Sequence, residues 1–93
     1  MTELIRNALR ITTESFDTEI DLQIEACKRE LAIAGVSVID EDDSLFQHAA
    51  ILYVKAYFGF NDDSERYMQA FNAIRDAMAL SGDYGYISEE EED

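Results

Sequence analysis

The chain has no proline and no tryptophan, one cysteine, one histidine and four glycines in 93 residues. Without proline, and with long stretches free of glycine, little interrupts an α-helix, and the composition predicts an all-helical protein. A single cysteine, Cys27, excludes an intrachain disulfide and a cysteine-rich zinc site, and fits a reducing compartment. The longest uninterrupted apolar run, Ala49 to Val54, is far too short to span a bilayer. The first ten residues carry Glu3 and lack an apolar stretch, so no secretory signal is expected there. Bases are scarce as well: seven Lys and Arg stand against 21 Asp and Glu, a net charge of −14. Gripping nucleic acid or an anionic membrane needs clustered cations, so both are disfavoured. Six of the acids lie between Asp83 and Asp93, and the remainder is still acidic.

What is present is a modest hydrophobic inventory, 47% apolar against 30% charged, suited to one small globular domain. Caps and glycines divide it into four helical segments, near 3–10, 16–34, 44–58 and 63–80, with no sheet. Thr2 is placed to cap the first helix, with Glu3 at its start and Arg10 at its end. Leu4, Ile5, Ala8 and Leu9 form its apolar face. Ser15 is placed to cap the second helix and Gly35 to close it. Phe16, Ile20, Ile24, Cys27, Leu31 and Ala34 share one sector of about 80° and form a core stripe. Leu22, Ala26 and Ile33 cluster on a second, separate stripe.

The third helix, closed by Gly59, is apolar nearly all round, as the centre of a bundle or a helix covered by a partner would be. Leu45, Phe46, Ala49, Ala50, Tyr53, Ala56 and Tyr57 take its core side. A narrow polar strip of Ser44, Gln47, His48 and Lys55 has Ile51 and Phe58 inside it. Asp62 and Glu65 resemble a capping box for the fourth helix, whose stripe is Tyr67, Phe71, Ile74 and Met78, with Glu65, Gln69 and Asp76 facing away and Gly82 as terminator. The expected architecture is a small all-α four-helix bundle over residues 1–83 and an acidic, flexible tail over 84–93.

Chemical signatures are missing. His48 has Ser44 and Leu52 one turn away and no carboxylate to orient it, so a surface or half-buried role is expected rather than a catalytic base. Cys27 on the core stripe reads as a buried, inert thiol. The run Asp40-Glu41-Asp42-Asp43 fails the EF-hand test, with Leu45 at the sixth position and Ile51 at the twelfth; it reads as a solvated loop priming the third helix. No glycine-rich phosphate loop, zinc signature or serine elbow occurs. The ten aromatics alternate with apolar helix positions rather than with Lys and Arg, as core residues do. No enzyme, no cofactor and no metal site is expected.

The segments Leu9-Arg10-Ile11, Phe16-Asp17-Thr18-Glu19-Ile20-Asp21-Leu22-Gln23-Ile24-Glu25-Ala26-Cys27-Lys28, Ala49-Ala50-Ile51-Leu52-Tyr53-Val54-Lys55-Ala56-Tyr57-Phe58-Gly59 and Leu80-Ser81-Gly82-Asp83-Tyr84, taken in this order, carry a family likeness. From Leu4 to Tyr84 the chain resembles the small head–tail connector, or head-completion adaptor, proteins of long-tailed DNA phages and prophages. The acidic run Glu89–Asp93 lies outside the likeness. The resemblance implies an all-α bundle, free as a monomer or assembled in the virion as a ring of about a dozen copies beneath the portal. Its partners would be the portal protein and a tail-side completion protein, with DNA only as passing cargo and no membrane. It would reside in the host cytoplasm before assembly. An acidic wall suits a DNA passage, since it does not grip a moving polyanion.

Two sets of contact residues are expected. The second stripe of helix two, Leu22, Ala26 and Ile33 with Arg29, needs a cover, either helix one or the Val36–Ile39 connector folding back, or the next subunit of a ring. Ile51 and Phe58 on helix three are candidates for the same contact. Tyr84, Tyr86 and Ile87 are placed to dock on a portal or other partner. A different class of function, an acidic interaction module or DNA mimic for a basic partner, would need acids aligned on one face at phosphate spacing. Here they are spread over loops, helix starts and the tail.

Overall fold

Among the described residues, backbone hydrogen bonding sets the bounds of four helices: α1 (Thr2–Ala8), α2 (Asp17–Ile33), α3 (Ser44–Phe58) and α4 (Ser64–Ser81). The structure, a computed structural model, describes residues 1–37, 39–59, 63–81 and 84. No strand occurs among the described residues. The chain is the expected all-α bundle. Asp62 and Gly82, assigned to the cap and stop of α4, and the acidic tail residues Glu89–Asp93 lie outside the described residues.

The helix ends show which local signals act. Asp43 caps α3 as its carboxylate accepts from the Phe46 amide at 2.9 Å. This is how the acidic loop primes the helix: the last acid satisfies an orphan amide beside the positive end of the dipole. Gly59 ends α3 in the left-handed region, φ 65°. Past α2, Gly35 has φ 107°, the Gly35 amide bonds the Ala32 carbonyl and the Val36 amide returns to Leu31, which closes the last turn in the Schellman manner.

Two expected caps are not used. Met1 and Phe16 occupy the N-cap positions of α1 and α2, neither with a capping side-chain bond. Thr2 instead donates from its hydroxyl to Asp21, and Ser15 pairs with Thr13. In both cases a tertiary or turn partner competes successfully for the hydroxyl. Helix α1 also stops short of Arg10. The Ile11 amide reaches back to the Arg6 carbonyl at 3.0 Å, and Arg10 takes the left-handed position, φ 62°, that glycine usually fills. Arg6, in the last turn, takes over the role given to Arg10, and its guanidinium pairs with Asp17 at 3.0 Å.

Helix α3 is the centre of the bundle, packed on α1, α2 and α4, while α4 packs chiefly on α3. Its buried residues, Phe46, Ala49, Ala50, Tyr53, Val54 and Ala56, span about 160° of the helix surface at 100° per residue. Val54 joins the core because neighbours flank α3 on several sides. Leu45 and Tyr57, assigned to the core by angle, are exposed, since they sit in the first and last turns where the neighbouring helices give less cover. The stripe of α2 is buried at Ile20, Ile24, Cys27 and Leu31, but Phe16 at its end is 42% exposed and Ala34 is half-buried. On α4, Phe71 and Met78 are fully buried, with Tyr67 and Ile74 at the margin. Phe71 meets Tyr53 edge-on, ring centroids 4.9 Å apart, where α3 and α4 cross.

The helix directions follow from cross-contacts. Phe16 at the start of α2 meets Phe58 at the end of α3, and Lys28 late in α2 pairs with Glu41 just before α3. Tyr53 meets Phe71 and Lys55 lies over the Tyr67 ring. Both pairs, α2 with α3 and α3 with α4, are therefore antiparallel, and α2 and α4 run in the same direction on α3.

Candidate interaction surfaces

The four residues of the second α2 stripe fall on one line along the helix. Leu22 is 63% exposed and Ile33 80% exposed, Arg29 is exposed, and Ala26 is half-buried against the core. From Leu22 to Ile33 the line runs about 16 Å at 1.5 Å per residue. Of the two internal covers considered, α1 leaves Leu22 open, and the connector turns Val36 into the core rather than back over Ile33. Arg29 forms no ion pair among the described residues, unlike Arg6, Lys28 and Arg75.

Ile51 and Phe58 are placed differently. Both are half-buried and packed against the core, and the Phe58 ring meets Phe16 at 6.1 Å in an edge-on contact. Phe58 thus closes the α2–α3 end of the bundle. Tyr84 docks on its own chain. Its hydroxyl donates to Asp43, 3.0 Å from Oδ2, its carbonyl accepts from the Ser37 amide at 2.8 Å, and its ring packs against the core. Asp43 therefore serves two masters, capping α3 and holding the residue that follows α4. Tyr86 and Ile87 lie outside the described residues.

A further exposed face was not singled out from the sequence. On α4, Ala73, Asp76 and Leu80 are exposed on the side away from α3, and Leu80 is 86% exposed, the highest value among the described large apolar residues. The signal was available: Leu80 lies nine residues from Phe71, 180° round the helix from the core stripe.

The polar groups inside the bundle are held in unreactive states. Burial, reinforced by the nearby Glu30 charge and opposed by Lys28, pushes the Cys27 thiol up to about 12, far from thiolate formation at neutral pH. Burial also raises the Tyr53 phenol, helped by the Tyr57 hydroxyl 3.4 Å away and by Glu30, to which Tyr53 donates at 3.2 Å. In the acidic loop, the Asp42 amide bonds the Asp40 carboxylate and Glu41 binds Lys28 at 2.7 Å. That bond holds the Glu41 carboxyl down and the Lys28 ammonium up. His48 is exposed on α3. No group of three His, Cys, Asp or Glu side chains is arranged to hold a metal ion among the described residues.

Among the described residues the candidate surfaces are helix faces, and comparison with known proteins bears on what such faces meet. No curated protein and no solved structure matches the chain significantly. The family of phage connector proteins matches it over residues 1–85, from the start of α1 to just past Tyr84. With nearly the whole sequence accounted for by that match, the chain belongs to the phage connector protein family.

Proposed function

We propose that this protein is a structural adaptor which assembles as a ring beneath the portal of a phage or prophage particle, joining head to tail and extending the DNA channel. Membership of the phage connector family makes it a virion component that works through contacts with other virion proteins. The observation that carries the finer reading is the open α2 face. A small bundle that leaves Leu22 and Ile33 in water, on one line with an Arg29 that has no ion-pair partner among the described residues, presents a surface suited to a neighbouring subunit. Covering each aliphatic side chain would contribute roughly 1–2 kcal/mol, and Arg29 beside an acid of the next copy would fix orientation more than affinity. The charge of −14 gives an acidic wall past which DNA can slide.

Electron microscopy of the purified chain mixed with the portal of its particle tests this. Ring-shaped density below the portal is expected. Portal particles without added density, at concentrations well above those of assembly, would refute the adaptor reading. Leu22→Glu separates a subunit contact from an internal one. With Leu22 in solvent, the isolated chain should melt within about 0.5 kcal/mol of the parent, while ring formation fails.

A further inference from the structure

The two most exposed large apolar side chains among the described residues are Leu80, at 86%, and Ile33, at 80%. They stand on different helices in matching surroundings. On α2 the sequence Ala26, Arg29, Ile33 follows the spacing i, i+3, i+7, and on α4 the sequence Ala73, Asp76, Leu80 follows the same spacing. A small residue, a charge and a large aliphatic residue recur in the same order, and the charges are opposite. Arg29 has no ion-pair partner among the described residues; Asp76 is held by neighbouring Arg75 through Oδ1 only, so Oδ2 can accept from a second cation.

We propose that these two faces are the complementary halves of one interface between copies of this chain. The α2 face of one copy packs on the α4 face of the next, with the helices parallel. Ala26 then lies opposite Ala73, Arg29 opposite Asp76 and Ile33 opposite Leu80. The small pair lets the helix axes approach, the charged pair sets the register, and the aliphatic pair is removed from water.

The occupant follows from the geometry of the fold. Helices α2 and α4 run in the same direction on α3, so copies related by rotation about an axis roughly along the helices bring α2 and α4 together in parallel. The two faces are different, so the contact is heterologous and leaves each copy with one free half for the next. A self-complementary pairing of two α2 faces would set Arg29 against Arg29, which like-charge repulsion opposes. This inference rests on the ring reading above and specifies which surfaces close it.

The test exchanges the charges in the full chain and follows assembly on the portal by sedimentation and electron microscopy. Arg29→Asp and Asp76→Arg each set like charges against each other and should raise the concentration needed for assembly at least tenfold; melting of the free chain should be unchanged for Arg29→Asp, and lowered only slightly for Asp76→Arg, which gives up the exposed pair with Arg75. The double variant R29D/D76R restores an opposite pair and should assemble near the parent concentration. A second readout joins Ile33→Cys chains to Leu80→Cys chains with a short thiol cross-linker; mixed dimers are expected, in excess of Ile33→Cys self-dimers. If the parent forms rings and the single reversals assemble as well as it does, or the double variant is no better than the singles, the paired faces are wrong while the ring reading stands. If the parent itself forms no ring, both are overturned.

Discussion

Replacing Asp43 by alanine tests the contact that ties the end of the chain to the middle of the bundle. One carboxylate performs two tasks there. It accepts from the Phe46 amide at 2.9 Å and from the Tyr84 hydroxyl at 3.0 Å. Loss of an N-cap costs about 1 kcal/mol. Loss of the bond from a partly buried tyrosine to a carboxylate costs about another 1 kcal/mol, because the phenol regains some hydration. The sum, about 2 kcal/mol, shifts the melting temperature of a domain this size by about 8–16 °C. Asp43→Asn keeps a capping oxygen and should cost roughly half as much. Tyr84→Phe should cost about 1 kcal/mol, and the double variant less than the sum by about that amount, since both singles break the same bond. Urea and thermal unfolding followed by far-ultraviolet circular dichroism measure the four variants against the parent. A coupling near zero between positions 43 and 84 would refute the docking of Tyr84, and an Asp43→Ala chain as stable as the parent would refute the cap.

Three further outcomes are expected. Phe71→Ala removes a fully buried ring set edge-on against Tyr53, and should cost about 3–5 kcal/mol in urea unfolding, a large share of the stability of so small a domain. Arg10→Gly should stabilise the chain by about 0.5–1 kcal/mol, because glycine relieves a left-handed backbone cost of roughly 1–2 kcal/mol and gives part of it back as unfolded-chain entropy; a drop in melting temperature would overturn this. Cys27 is buried with its thiol pushed up to about 12, so it should stay unmodified by a thiol reagent at pH 8 in the native chain and react fully in denaturant. Native reaction at the denatured rate would contradict its burial.

The extent to which the sequence revealed this molecule depended on whether a residue's fate was local. Helix bounds came within two residues because Gly35, Gly59 and Asp43 act on their own backbone, and a turn with a glycine in the left-handed region leaves few alternatives. Hydroxyl caps failed at Thr2 and Ser15 because a side chain that reaches Asp21 or Thr13 is no longer available to the helix start; Asp21 lies 19 residues from Thr2, beyond any local signal, and Thr13 competes from within the turn itself. Periodicity gave the buried stripe of α2 but misplaced Phe16, Leu45 and Tyr57. An angle on a helical wheel says which way a side chain points and not whether a neighbour extends that far along the axis.

The same limit explains the interaction surfaces. The α2 stripe was visible as a surplus, apolar residues on a helix that already had a core face. Whether the surplus was covered from within depended on where α1 and Val36 go, and the fold sends them elsewhere. On α4 the surplus is one leucine, and a single residue off the stripe is too common to attract notice on its own. It gains meaning only beside the other face, once the fold has fixed that α2 and α4 run in the same direction with α3 between them. A charge pattern on one helix is then matched by the opposite pattern on another, at the same spacing, with the most exposed apolar side chain at the end of each. Complementarity of that kind cannot be satisfied within one copy, because the two faces point away from each other. In the proposed ring it is satisfied between copies, where a pair of unlike faces held parallel leaves each copy one free half for the next.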